Sequence, residues 1–108
     1  METAIERLKR MSAWDAEPEL TGQELEALLA QAETEDAAGL SPGWDGWQPT
    51  YDLNAAAASA WLIKAGRAAG MTETEPESGQ VSSRVFDNCR KMSRAYRALR
   101  KATVRITP

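Results

Sequence analysis

The chain has 108 residues, no His, a single Cys (Cys89) and a formal net charge of −3 from 13 bases and 16 acids. That length sets one domain, residues 1–108, as the expectation. Without His, Ser-His-Asp and Cys-His catalysis and His-containing zinc or haem sites are excluded, and one Cys makes neither an internal disulfide nor a thiolate metal cage.

The apolar fraction is 43%, and Ala supplies much of it, so a thin, helix-rich core is expected. No run approaches the ~18 apolar residues of a membrane span, and the first ten residues carry no apolar signal core. A protein made and used in a reducing cytoplasm, with no membrane partner, is the expectation. The charge is divided along the chain. Residues 1–48 hold 11 acids and 3 bases (net −8), residues 49–80 hold 4 and 2 (net −2), and residues 81–108 hold 1 and 8 (net +7). Such asymmetry suits a basic face for nucleic acid, or the acidic end of one copy against the basic end of another.

In chain order, Ile5, Leu8 and Met11 predict a short helix over about residues 3–13, broken by the run from Asp15 to Pro18. Thr21-Gly-Gln-Glu24 fits a capping box opening a second helix. Its stripe is Leu25, Leu28 and Leu29, and it should fade near residues 33–36. Residues 38–50 read as a loop, broken by Gly39, Pro42, Gly43, Gly46 and Pro49. Trp44 and Trp47 sit in it, either as anchors that pin the loop or as an exposed interface.

A third helix is predicted over about residues 52–69, with Asp52 as N-cap and Gly70 just past its end. Its body, Ala55-Ala-Ala-Ala58-Ser-Ala60, is small on every face, which places it at the centre of a bundle. Leu53 and Trp61 are predicted core. Residues 71–80 are acidic and polar and contain Pro76; a mobile loop, with room for a short hairpin, is expected there. The fourth helix is predicted over about residues 83–103. Val85, Cys89, Met92, Tyr96 and Leu99 form its buried stripe, with Phe86 also in the core. Arg90, Arg94, Arg97, Lys101 and Arg105 share one spacing on the opposite side. This basic row reads either as a solvated face or as a contact with DNA phosphate or an acidic protein surface. The tail, residues 104–108 with Ile106, reads as an extended arm, frayed or laid on a partner strand. Overall the expectation is an all-α bundle of about four helices, its core over about residues 3–103.

Gly-rich phosphate loops, paired metal-ligand spacing and a nucleophile elbow are all missing. No catalytic, cofactor-binding or metal-binding residue is expected, and the chain is not expected to be an enzyme. Cys89 falls on the apolar stripe and reads as a small buried side chain rather than a reactive thiol.

Three blocks carry a family resemblance. Tyr51-Asp-Leu-Asn-Ala-Ala-Ala-Ala58, with Trp61, Lys64 and Ala65, resembles the central helix of the head–tail connector proteins of long-tailed bacteriophages, also called adaptors or head-completion proteins. Ser83-Arg-Val-Phe86-Asp-Asn-Cys89-Arg-Lys-Met92 with Tyr96 resembles that family's last helix. Leu8 to Met11, Pro18 to Thr21, and Glu24-Leu25 with Leu28-Leu29 follow in the right order upstream. The resemblance covers about residues 5–100. Arg84 and Asn88 depart from the family pattern.

The resemblance implies an α-helical virion subunit that forms a ring, typically a dodecamer. Such a ring docks beneath the portal protein, extends the DNA channel and carries the stopper or tail-completion protein. It is assembled in the host cytoplasm and passes genomic DNA without sequence-specific binding. Arg90, Arg94, Arg97, Lys101, Arg105 and Ile106 are then candidate portal or neighbour contacts, since a strongly basic lumen would hold DNA and slow its passage. The competing expectation is a small DNA-binding regulator using the basic last helix.

Overall fold

The computed structural model describes residues 2–74 and 79–100, with side chains over 2–70 and 84–100. It is all-α: α1 (Ala4–Ser12), α2 (Gly22–Gln31), α3 (Leu53–Thr74) and α4 (Gly79–Leu99).

Local chemistry sets the first two helices. Thr3 caps α1, its hydroxyl accepting from the Glu6 amide at 3.2 Å. The helix ends at Ala13, which is left-handed at φ 46° and ψ 53°, a conformation that costs a Cβ-bearing residue roughly 1 kcal/mol or more. The Glu17–Pro18 peptide that follows is cis. The capping box of α2 is complete. The Glu24 amide donates to the Thr21 hydroxyl at 3.1 Å, and the Thr21 amide donates to the Glu24 carboxylate at 2.9 Å.

Residues 33–51 form a loop closed at its base. Thr34 N donates to Thr50 O at 3.0 Å, Asp52 N donates to Ala32 O at 2.8 Å, and Glu33 bridges Tyr51. Asp36 organises its interior. The buried carboxylate accepts from the amides of Ala38, Leu40 and Gln48, each at 2.9 Å, and these donors hold its pKa below the usual range. Gly39, Gly43 and Gly46 all sit at positive φ, which explains three glycines in so short a stretch.

α3 is the central element and touches each of the other three helices. Asp52 caps it, accepting from the Ala55 amide at 3.1 Å. Ala56, Ala57, Ala58, Ala60, Ala65 and Ala68 are buried along it, so neighbouring backbones approach closely with little side-chain ordering cost. One cluster packs Leu8, Leu20, Leu25 and Leu28 on Ala56, Ala57 and Ala60; a second joins Trp61, Ala65 and Cys89.

Three expectations change. Gly70 does not end α3, which runs on to Thr74, and α4 starts at Gly79 rather than near residue 83. An interior Gly costs a helix only about 1 kcal/mol, so Gly70 by itself does not terminate α3. Residues 71–74 and 79–80 of the expected mobile loop are therefore helical, and the rest of it, residues 75–78, lies outside the described residues.

The third change concerns the buried face of α4, which is centred on Cys89 and Ser93. Ser93 Oγ donates to Ala58 O at 2.8 Å, a bond that rotates α4 relative to the apolar stripe. Val85, Phe86, Met92 and Tyr96 are partly buried, as is Leu53 on α3, while Leu99 is 66% exposed. By the ~100° step per residue, the arginine row sits beside this face rather than opposite it. Asn54 Nδ2 closes the end of α4, donating to Leu99 O at 3.3 Å. No helix among the described residues is long and apolar enough to cross a membrane.

Candidate functional site

The α3–α4 hairpin has one covered side and one open side. Side chains of α3 reach toward α1 and α2. Trp61 Nε1 donates to Met11 O at 3.0 Å, and Lys64 Nζ donates to Ser12 O at 3.1 Å and Ala13 O at 2.6 Å. Arg67 donates to Glu19 O at 2.7 Å and pairs in a fork with the Glu24 carboxylate. From α4, Tyr96 packs on the same cluster as Leu8.

On the other side of α3, Ser59, Leu62 and Gly66 follow one another at helical spacing. Ser59 is half-buried, Leu62 is 50% exposed and Gly66 is exposed. By helix geometry the neighbouring row on α4 is Arg90, Arg94 and Arg97. All three are exposed. Arg90 lies over the Phe86 ring at 5.8 Å, which fixes the root of the row. Among the described residues the ion pairs join Arg10 to Glu2 and Arg67 to Glu24, and no described carboxylate pairs with an α4 arginine. The row is thus a stripe of cations about 10 Å long, at 1.5 Å per residue, beside an exposed Leu. Such an arrangement suits an anionic partner that brings its own apolar contact. Lys101, Arg105 and Ile106, expected to continue this surface, lie outside the described residues.

The two loop tryptophans separate into the two roles open to them. Trp47 is an anchor: its Nε1 donates to Thr34 O at 3.0 Å, and its ring meets Tyr51 edge-on at 6.5 Å. Trp44 is 60% exposed. Trp44, Leu62 and Leu99 are the exposed large hydrophobic side chains among the described residues.

Periodicity does not reveal Lys64. It is fully buried, its ammonium 4.5 Å from the Trp61 ring centroid and bonded to the last carbonyls of α1. The cation thereby meets the negative end of the α1 dipole. Burial pushes its pKa down, opposed by the nearby Cys89 and Asp15 charges. Its mark in the sequence is a single Lys at i+3 from a Trp inside an alanine helix. An open pocket of about 280 Å³ lies beside it, lined by Glu17, Trp61, Lys64, Arg84, Asn88 and Cys89 among others. Burial raises the Cys89 pKa, so the thiol there is not activated as a thiolate nucleophile. Among the described residues no group of three or more His, Cys, Asp or Glu is placed to hold a metal, and no buried side-chain nitrogen or oxygen lacks a hydrogen-bond partner.

Family models, curated proteins and solved structures were each compared with the chain, and none matches it.

Proposed function

We propose that the chain is a structural adaptor subunit of a phage virion. It forms a ring, dodecameric as in the family it resembles, that docks beneath the portal, extends the DNA channel and receives the stopper or tail. The observation that carries this reading is the unpaired arginine row of α4 beside the exposed Leu62, on a side of the hairpin that no other described helix covers. A row of unpaired cations selects a partner by charge, and the exposed Leu62 beside it offers that partner an apolar contact. Trp44 and Leu99 extend the contact surface available to a ring subunit, which needs two different faces for its two neighbours and a third for the portal. The role is one of position and contact, without catalysis.

Co-sedimentation with portal-bearing heads tests it: the chain should pellet with them and stay in the supernatant with heads that lack a portal. The same arginine row favours one other reading, a DNA-binding regulator. That reading requires tight binding to short duplex DNA that falls steeply with salt, the slope set by the phosphates neutralised. The adaptor reading expects negligible duplex affinity at moderate salt.

A further inference from the structure

From this adaptor reading, on which it rests, we infer that the open face of the α3–α4 hairpin receives the outer face of α2 from the next copy of the chain. The two surfaces match in charge and size. On α2 and just past its end, Glu26, Ala30 and Glu33 are exposed at steps of four and three residues. Arg90, Arg94 and Arg97 follow one another along one side of α4. The arginine row spans about 10 Å at 1.5 Å per residue; Glu33 stands two residues past α2, in the bridge to Tyr51. Neither Glu26 nor Glu33 pairs with a described cation, and none of the three arginines pairs with a described carboxylate.

Size agrees with charge. Ala27 and Ala30 on α2 are exposed and small, and Ser59 and Gly66 opposite them are small as well. Two helices meeting through such residues approach closely, which leaves Leu62 to fill the contact and the long arginines to reach across to the carboxylates.

The two surfaces also point apart on one molecule. Arg67 holds Glu24, and with it α2, on the covered side of α3, while Leu62 and the arginine row lie on the open side. A contact between different faces that point apart does not close as a two-fold dimer; it propagates from copy to copy into a ring or a filament. The halves of the chain carry the same complementarity at larger scale, net −8 over residues 1–48 and +7 over residues 81–108.

A charge swap tests the pairing. One full-length variant carries Arg94→Glu and Arg97→Glu; a second carries Glu26→Lys and Glu33→Lys. All four positions are exposed, and thermal melts confirm that both variants fold. Sedimentation velocity is run at low salt up to about 1 mM chain. The wild-type chain self-associates. Each variant alone loses at least about tenfold in association, because like charges now face each other. Mixing the two restores it, since an acidic hairpin face then meets a lysine-bearing α2 and the wild-type pairing survives at the alternate contact. Wild-type association in either variant alone, or a mixture that stays apart, overturns the pairing; rings of the wild-type chain beneath portals would then leave the adaptor reading standing with a different interface. A wild-type chain that neither self-associates nor binds portals overturns both.

Discussion

Replacing Lys64 with Met sets two large effects of burial against each other. The ammonium is fully buried, and desolvating it costs several kcal/mol. Against that stand two charge-assisted bonds, to Ser12 O and Ala13 O, each contributing about 1.5–3 kcal/mol, the Trp61 face at 4.5 Å, and the negative end of α1. Met keeps the apolar stem and removes the charge together with its desolvation cost. It leaves the carbonyl of Ser12, a fully buried residue, without its donor, at about 1–3 kcal/mol. Once the desolvation relief is offset, Lys64→Met is expected to destabilise by about 2–3 kcal/mol, or roughly 8–20 °C in Tm for a domain of this size. Urea unfolding followed by circular dichroism measures it, with an unchanged m-value showing that the effect lies in stability. A Met variant as stable as the wild type, or more stable, would refute the reasoning. The buried ammonium would then be a net burden, as some buried charges are.

Two further outcomes follow from particular contacts. Trp47→Ala removes the bond to Thr34 O and the Tyr51 ring contact and should cost about 2–3 kcal/mol, whereas Trp44→Ala, at a largely exposed position, should stay within about 0.5 kcal/mol; the two are compared by urea unfolding, and equal costs would contradict their different roles. Arg67, and after it the Thr21 amide, holds the Glu24 carboxyl down to about 2, from 4.5. The stabilisation from a depressed carboxylate is complete above the unfolded value of 4.5 and is lost as pH falls through about 2. Both partners are partly exposed, so solvent screening limits the pair to about 1 kcal/mol. The stability gap between the wild type and Arg67→Met should therefore be widest at neutral pH and close toward pH 2; a gap independent of pH would show that Arg67 acts through packing and its bond to Glu19 O.

The parts of the fold legible in the sequence are those that local chemistry decides. Thr21 and Glu24 announce their capping box because both partners lie within one turn, and Asp52 caps α3 as its position suggests. The alanine run marks the central helix because only small side chains allow close approach on several sides. What escapes is set by contacts distant in sequence. Nothing near Gly70 says that α3 continues to Thr74; a glycine after a periodic stretch reads as a stop, yet its cost inside a helix is only about 1 kcal/mol. Leu99 fits the apolar stripe by spacing, yet the bond from Ser93 to Ala58, 35 residues away, fixes a rotation of α4 that leaves Leu99 outside. Asp36 reads as the fading end of a helix and instead gathers three amides of the loop. The arginine row is legible as a row; that it flanks the open side of the hairpin depends on where α1 and α2 pack.

The central claim, a chain that works by forming a ring beneath a portal, is tested most directly by electron microscopy of portal-bearing heads mixed with the purified chain. An added ring of density is expected under the portal, coaxial with the channel and built of repeated copies. Portals that stay bare at saturating chain concentration, with the chain monomeric in solution, would contradict it.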